Sequence, residues 1–324
     1  MSLIVQKFGG SSVADAEKLL HIAHITKETR GAGHDVIVVV SAQGDATDRL
    51  IRQARELAAD PSARELDALL ATGEQASAAL TAMALMSLGV DAVSLGAWQL
   101  PIRADGAYGD ARVTEIGTER VARELDAGRV VVCAGFQGVG ANGDVYTLGR
   151  GGSDYSAVAL ADAFRAEVCR IYTDVDGVYT ADPRVCPTAR RLSRVSYEDM
   201  VALSRAGARV LHDKCAVLAQ ERGVALEVRS CAPDSVGTRV GAEGEKRAVT
   251  GVTQRAGGAD AFAAVTLVGG AVPSLCVQKK ALLALDAAGI AARGVDASAR
   301  SLTLYVDRAR ADEAVRAVHD AVVD

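Results

Sequence analysis

Residues 35–40 have the sequence Asp-Val-Ile-Val-Val-Val, in which one acid precedes five consecutive apolar, β-branched side chains. Such a run predicts a strand that is buried on both faces, as in a parallel sheet covered by helices. Residues 129–134 (RVVVCA) have the same character. Helical patterns alternate with strand patterns through residue 229, so we expect an α/β fold with a mostly parallel central sheet and helices on both faces. The other predicted strands are 2–7, 92–95, 167–173 and 225–229, and the predicted helices are 14–30, 48–57, 65–88, a segment within 113–127, 153–164, 197–207 and 213–222.

The sequence changes character at residues 237–246 (GTRVGAEGEK), which are rich in glycine and charge and have no apolar period. This composition predicts a linker. Together with the length of 324 residues, it indicates two domains, 1–240 and 246–324. The second domain is predicted as a small βαββα module, with strands at 261–268, 291–297 and 301–307 and helices at 279–288 and 311–322.

Composition excludes several classes of protein. The chain has 49% apolar and 24% charged residues, which is typical of a globular protein and excludes a disordered one. A net charge of −5 and 4% aromatic residues argue against a nucleic-acid partner. The six cysteines form no CxxC pair, and the sequence contains neither a signal-peptide pattern nor an apolar run long enough to span a membrane. We therefore expect a cytoplasmic protein with reduced thiols and no membrane partner.

Two glycine-rich segments lie where a strand pattern meets a helix pattern. In the first, Lys7-Phe-Gly-Gly-Ser-Ser12, the glycines allow close approach of backbone N–H groups to a ligand, the serines can cap the helix, and the lysine suits a phosphate. In the second, Leu148-Gly-Arg-Gly-Gly-Ser-Asp154, Arg150 can bind a carboxylate through two hydrogen bonds and Asp154 can orient a lysine. The alternatives are a plain turn with a solvated lysine and a tight loop whose aspartate caps the helix.

A third segment, residues 173–184 (TDVDGVYTADPR), follows a predicted strand at the edge where open α/β sheets bind ligands. Here Tyr179 can flank a base and Arg184 can meet phosphates, although a decorated turn remains the alternative. Residues 138–143 match GxGxxG but precede no helix, so we do not expect a dinucleotide site there. The five histidines complete no metal-ligand pattern, and no resident metal site is predicted.

Taken together, the chain resembles aspartate kinases of the amino-acid kinase fold, and the C-terminal module is similar to an ACT domain. The segments that carry this resemblance are 7–13, 41–50, 71–80, 135–161 and 173–184. The resemblance implies phosphorylation of L-aspartate to 4-phospho-L-aspartate with ATP and Mg²⁺, in amino-acid biosynthesis such as that of lysine and threonine.

The resemblance also implies roles for individual residues. Lys7 and Asp154 are expected to be catalytic, with Asp154 orienting Lys7. The expected aspartate-binding residues are Ser41, Thr47, Glu74, Phe136 and Arg150, with Glu74 toward the α-ammonium and Arg150 toward a carboxylate. The expected ATP-binding residues are Gly9, Gly10, Ser11, Thr173, Asp174, Tyr179, Arg184 and Arg209, the last standing where the family commonly has lysine.

The C-terminal module departs from the resemblance. Aspartate kinases commonly carry two ACT modules, and the residues after 246 suffice for about one. The turn that usually frames an effector in the family is replaced here by residues 269–273 (GGAVP), followed by 276–280 (CVQKK), and residues 294–298 (GVDAS) lack the family's usual polar pattern. We therefore hypothesise an enzyme free of ordinary lysine or threonine feedback that keeps the module for homodimerisation. Two alternatives stay open, namely a kinase acting on another acidic amino acid and a non-catalytic, effector-binding paralogue.

Overall fold

The computed structural model describes residues 2–256 and 261–323. Its elements are numbered along the chain. The strands are β1 (Leu3–Phe8), β2 (Asp35–Val40), β3 (Ala92–Leu95), β4 (Ile102–Asp105), β5 (Arg112–Ile116), β6 (Val130–Ala134), β7 (Gln137–Val139), β8 (Val145–Thr147), β9 (Val168–Thr173), β10 (Arg194–Ser196), β11 (Leu226–Ser230), β12 (Thr238–Gly241), β13 (Gly251–Ala256), β14 (Phe262–Val268), β15 (Gly294–Ala297) and β16 (Ser301–Asp307). The α-helices are α1 (Ala16–Gly31), α2 (Ala46–Leu57), α3 (Ala63–Ser87), α4 (Glu119–Asp126), α5 (Gly152–Ala163), α6 (Tyr197–Arg205), α7 (Asp213–Arg222), α8 (Leu275–Ala287) and α9 (Ala311–Val322).

The contacts divide the chain into two compact units. The first unit comprises Met1–Asp176 and Glu221–Ser235, and the second comprises Gly177–Gln220 and Val236–Asp324. The units follow contacts in space rather than sequence order. The domain boundary expected at residues 240–246 stays a prediction.

The first unit is built around a parallel sheet in the order β3-β6-β2-β1-β9-β11. The five apolar residues of β2 are all fully buried. Alternate side chains point to opposite faces of a strand, so Val36, Val38 and Val40 join the core formed with α1 and α3. Helix α5 packs against β1, β2 and β9. The predicted α/β class, with a mostly parallel sheet between helices, is confirmed.

A second, smaller sheet of the first unit was not predicted. Its order is β5-β4-β7-β8, and its strands have three to five residues each, too few for a clear period. The segment within 113–127 that was predicted to include a helix begins as β5 and only then forms α4. Residues 140–143 form the turn between β7 and β8, where the Gly140 N–H donates to the Asp144 carbonyl at 2.9 Å. The GxGxxG match is therefore a hairpin.

The second unit contains an antiparallel sheet in the order β13-β14-β16-β15. Buried side chains of this sheet form one core with α8 and α9. The predicted βαββα order is present, but β13 precedes it and α8 begins at Leu275, before the predicted residue 279. β13 is not predicted from apolar runs, because its sequence GVTQRA contains few apolar residues.

The predicted linker at 237–246 is wrong in part, because it contains β12. This strand pairs in parallel with β10, and Thr238 and Val240 are buried. The Thr238 hydroxyl donates to the Leu192 carbonyl at 2.6 Å and accepts from the Val178 N–H at 2.8 Å. A strand with two buried side chains thus lies in a segment whose composition is that of a loop. Among the described residues, none of the helices is both long and apolar enough to cross a membrane.

Candidate active site

Two buried, oppositely charged side chains meet at the carboxyl end of β1. The Lys7 ammonium lies 2.6 Å from Asp154 Oδ1, and only 11% and 14% of the two side chains are exposed. Lys7 belongs to β1, and Asp154 lies in the first turn of α5. Asp154 does not cap α5, because the residue at the cap position is Gly151, with a φ of +69°. The ion pair fixes the positive charge of Lys7 in the first glycine-rich segment, residues 7–12.

The chain after Lys7 makes a tight turn. Gly10–Val13 form a short 3-10 helix, in which the Ser12 N–H donates to the Gly9 carbonyl at 2.9 Å. Gly10 has no room for a side chain, since an added Cβ would lie 2.7 Å from the Ala42 carbonyl oxygen. The serines do not cap α1 as predicted; Asp15 caps it by accepting from the Lys18 N–H at 2.9 Å. The turn therefore leaves Ser11 exposed on the surface of the segment.

Glu74 is a buried acid with one unused oxygen. It lies on α3, is 3% exposed, and accepts the Ala42 N–H through Oε1 at 2.9 Å. Its Oε2 is buried and has no hydrogen-bond partner among the described residues. Burial raises the pKa of Glu74 to about 7, against the lowering effect of the Ala42 hydrogen bond. An ammonium group placed at Oε2 would satisfy this oxygen and favour its ionised form.

The loop after β6 holds a strained residue. Phe136 has a φ of +68°, a value that is uncommon for a residue with a side chain. Its N–H donates to the Ser156 hydroxyl at 3.0 Å, and its carbonyl accepts from the Leu148 N–H at 2.9 Å. Gly152 is packed so closely that an added Cβ would lie 2.7 Å from the Phe136 ring. Strain fixed in this way is typical of functional sites.

The remaining residues predicted to bind aspartate lie in the same unit. Arg150 is exposed between Gly149 and Gly151, whose φ values are +74° and +69°, and it forms no ion pair within the described part of the chain. Ser41 follows β2 and donates its N–H to the Phe8 carbonyl at 3.1 Å. Thr47 is half-buried at the start of α2. Arg150 is therefore free to bind an anion.

The residues predicted to bind ATP are divided between the units. Gly9, Gly10, Ser11, Thr173 and Asp174 belong to the first unit, where the Thr173 hydroxyl donates to Asp174 Oδ1 at 3.0 Å. The other three, all in the second unit, are Tyr179, Arg184 and Arg209.

In the second unit, the Asp182 carboxylate holds one of these side chains, that of Arg184. The Arg184 guanidinium donates to both of its carboxylate oxygens, at 3.0 and 2.8 Å. These hydrogen bonds, together with the charge of the exposed Arg209, lower the pKa of Asp182. Tyr179 forms an antiparallel bridge with Arg191. The structure thus fixes the Arg184 guanidinium on the Asp182 carboxylate.

Several groups that shape the site were missed by sequence reasoning. The Ala42 N–H holds Glu74, the Ser156 hydroxyl holds Phe136, and Asp67 accepts the N–H and hydroxyl of Thr147 at 2.7 and 2.8 Å. A signal was available only at Gly73, where an added Cβ would lie 2.8 Å from Ala42 Cβ. The glycine beside Glu74 marks the close approach of α3 to this loop.

Mg²⁺ prefers oxygen ligands and keeps several waters. At the lysine end of the site, Asp154 and Asp174 offer carboxylates, but Asp154 is already engaged by Lys7. The donor set suits an ion that is bound mainly by substrate phosphates. Within residues 2–256 and 261–323, one three-group cluster of metal-ligating type occurs, at Cys186, His319 and Asp320, and Thr188 joins these groups by hydrogen bonds.

Residues 2–230 match the model of the amino acid kinase family. The chain is 48% identical to an aspartokinase of Bacillus sp. (strain MGA3) over 238 residues, which is 74% of this chain and 58% of that protein. It is 50% identical to an aspartokinase of Geobacillus stearothermophilus over 240 residues, 74% of this chain and 59% of that protein. The chain thus spans less than two thirds of the length of these relatives.

The fold is similar to those of solved aspartate kinases. E. coli aspartokinase III, determined in complex with aspartate and ADP, matches with a TM-score of 0.82 and 22% identity, covering 98% of this chain and 99% of that one. Aspartate kinase from Synechocystis matches with a TM-score of 0.67 and 29% identity, covering 99% of this chain and 69% of that one.

Proposed function

Because the chain belongs to the amino acid kinase family, we propose that it catalyses the ATP-dependent phosphorylation of the side-chain carboxylate of L-aspartate. The products are 4-phospho-L-aspartate and ADP. The observation that carries the proposal is that the first unit holds two buried charges of complementary use: the Lys7 ammonium, fixed by Asp154, and the Glu74 carboxylate, with one oxygen unpartnered. The first suits a phosphoryl group, and the second suits the α-ammonium of an amino acid.

The chemical step needs positioning and neutralisation of charge more than proton transfer. The unperturbed pKa of a carboxylic acid is about 4, so the substrate carboxylate is already a nucleophile at neutral pH. One of its oxygens forms the new bond to the γ-phosphorus, the bond from that phosphorus to the β,γ-bridging oxygen breaks, and ADP leaves. Lys7 offsets negative charge on the transferring group, and Asp154 keeps the ammonium in place.

Separate groups of the site bind the α-ammonium and a carboxylate of the substrate. Glu74 takes the α-ammonium through Oε2, and Arg150 pairs with a carboxylate in the geometry that a planar guanidinium favours. Phe136, Ser41 and Thr47 complete the aspartate side.

On the nucleotide side, Gly9, Gly10 and Ser11 approach the phosphates. Contacts to the nucleotide come from Thr173, Asp174, Tyr179, Arg184 and Arg209. Mg²⁺ bound together with ATP would supply further neutralisation of charge, and the Asp174 carboxylate is the protein group that would hold it.

Substrate analogues test whether Glu74 binds the α-ammonium of the substrate and Arg150 binds a carboxylate. Trapping the acyl phosphate with hydroxylamine yields a hydroxamate, whose amount reports on the reaction. We expect L-aspartate to react, succinate (no α-ammonium) and β-alanine (no α-carboxylate) to react at least ~100-fold less efficiently, and L-glutamate not to react. Comparable hydroxamate from L-glutamate would identify a kinase for another acidic amino acid, and none from any acid with ATP still bound would indicate a non-catalytic paralogue.

We further propose a homodimer formed through the C-terminal module and a cytoplasmic location. Strand β15 is an edge of its sheet, and its Val295 is 53% exposed. Helix α8 leaves Leu275 and Leu283 exposed by 83% and 56%. A free edge and an apolar face are features that association commonly covers. All six cysteines are free thiols, as suits a reducing compartment.

A further inference from the structure

The second unit ties part of the expected nucleotide-binding segment to the C-terminal module. Residues 177–220 belong to the same compact unit as β13–β16 and α8–α9. Tyr179, Arg184 and Arg209 therefore share their unit with the module. One point of attachment is Thr180, which is fully buried between Tyr179 and Ala181.

Every polar group of Thr180 is engaged. Its N–H donates to the Arg190 carbonyl at 2.9 Å, and its carbonyl accepts from the Val252 N–H of β13 at 2.7 Å. Its hydroxyl oxygen accepts from the Arg190 N–H at 3.0 Å and lies 2.9 Å from His319 Nε2. That oxygen accepts one N–H and keeps a hydrogen and a second lone pair, so it can form a hydrogen bond with Nε2 whichever imidazole nitrogen carries the proton.

His319 is a buried bridge with a second partner. It lies on α9, is 3% exposed, and faces Asp320 Oδ1 through Nδ1 at 3.2 Å. One turn earlier on the same helix, the Arg316 guanidinium donates to the Val185 carbonyl at 3.1 Å. Helix α9 thus holds the segment on both sides of Arg184, at Thr180 and at Val185.

We propose that His319 is a positioning residue for the nucleotide: through Thr180 it fixes the backbone that carries Tyr179 and Arg184. This inference rests on the proposed function, because it assigns these two side chains to ATP. A loosened Thr180 allows Tyr179 and Arg184 to leave the arrangement that binds ATP. The aspartate-side residues Glu74 and Arg150 belong to the other unit and touch none of this network.

The test is steady-state kinetics in both substrates with variants of the full chain. For His319→Leu we expect KM for ATP to rise ~3- to 10-fold, while kcat and KM for L-aspartate stay within about twofold. His319→Gln should restore KM for ATP, since its amide can reach Thr180 as Nε2 does. His319→Asn, whose shorter amide cannot, should not. Thr180→Val should reproduce the effect, and adding it to His319→Leu should change little more.

Controls separate positioning from loss of stability. Leu285→Ala removes a buried side chain of α8 that makes no hydrogen bond, so it should lower Tm without raising KM for ATP selectively. Titration with a fluorescent ADP analogue gives nucleotide Kd without turnover. If His319→Leu fails to fold, Thr180→Val and Arg316→Ala provide the same readout.

The outcomes for the two claims are distinct. Suppose that the wild-type chain is active and that His319→Leu folds. An unchanged KM for ATP in this variant would then overturn the inference alone. An equal rise in its KM for ATP and its KM for L-aspartate would do the same. A wild-type chain that binds the ADP analogue but forms no hydroxamate would overturn the proposed function, while the Kd of each variant still decides the role of His319. A wild-type chain that binds no nucleotide would overturn both.

Discussion

The ammonium of Lys7 lies 2.6 Å from the carboxylate of Asp154, and both side chains are largely buried. The two residues come from β1 and α5, which pack against each other in the first unit. A lysine held in this way is a preorganised positive charge, which costs no reorganisation when negative charge develops on a phosphoryl group. We therefore place Lys7 at the centre of the proposed catalysis.

Removing the charge of Lys7 should reduce kcat far more than substrate binding. We expect Lys7→Ala to lower kcat by ~100- to 1,000-fold and Asp154→Asn to lower it less, because an amide still accepts a hydrogen bond from the ammonium. Hydroxamate formation measures both. Lys18→Ala is the matched control, since Lys18 is 51% exposed on α1 and should be neutral. Near-normal turnover by Lys7→Ala would remove this residue from the mechanism.

The ionisation of Glu74 should determine how kcat/KM for L-aspartate falls at low pH. Its pKa of about 7 in the free chain means that the ionised form, needed for an ammonium, is lost as the pH falls below that value. We expect kcat/KM for L-aspartate to fall tenfold per pH unit below about 7. Glu74→Gln should have a much higher KM for L-aspartate, and its kcat/KM should not fall in this way at low pH. A wild-type profile that stays flat down to pH 5.5 contradicts this assignment.

The same pKa has a consequence for stability. A raised acid pKa means that the contribution of Glu74 to folding is fully present below the ordinary pKa of 4.5 and is lost as the pH rises through about 7. By linkage the loss is of order 3 kcal/mol at pH 8. Glu74→Gln should therefore be more stable than wild type at pH 8 and similar at pH 5, as measured by urea unfolding. An equal difference at both pH values would show that ionisation is not the cause.

Gly10 should tolerate no side chain. In Gly10→Ala, the new Cβ would lie 2.7 Å from the Ala42 carbonyl, so the turn or the loop that holds Glu74 must shift. We expect a loss of ~1–3 kcal/mol of stability and a higher KM for both substrates. Gly31→Ala is the control, because nothing lies within 4 Å of its added Cβ at the end of α1. It should be neutral or slightly stabilising. Equal behaviour of the two variants would contradict the described packing.

The proposed dimer can be tested by charge at the sheet edge. Val295→Lys on β15 should shift the chain from dimer to monomer in light scattering after size exclusion, because a lysine opposes edge pairing. Val236→Lys is a matched control in the same unit, as Val236 is 71% exposed and lies outside the module's sheet. A monomeric wild type, or a Val295→Lys dimer of unchanged stability, would exclude this interface.

The sequence predicted the elements whose side chains are buried on a regular period. β2 and α7 were predicted with their exact bounds, and β1, β6, β9 and α5 to within one residue at each end. It failed where order comes from a few long-range contacts. β12 depends on the buried Thr238 and Val240, and β4, β5, β7 and β8 are too short to show a period.

The candidate site also contains some residues that the sequence predicts and others that it does not. Lys7, Arg150 and Asp154 can be predicted as candidates because each lies in a glycine-rich segment next to a predicted helix. The positive φ of Phe136 and the Ala42 N–H that holds Glu74 could not be predicted, since neither has a signature in residue type. The attachment of Thr180 to His319 joins residues far apart in the sequence, and no local pattern reports it.

The most direct test of the central claim follows the oxygen of the substrate carboxylate. L-aspartate labelled with ¹⁸O in its side-chain carboxylate is incubated with the chain, ATP, Mg²⁺ and hydroxylamine, and the released phosphate is examined by ³¹P NMR. If the carboxylate attacks the γ-phosphorus, hydroxylamine cleaves the C–O bond of the acyl phosphate and each phosphate carries one ¹⁸O. Unlabelled phosphate formed at the same rate with and without aspartate would show that water is the acceptor and would contradict the account.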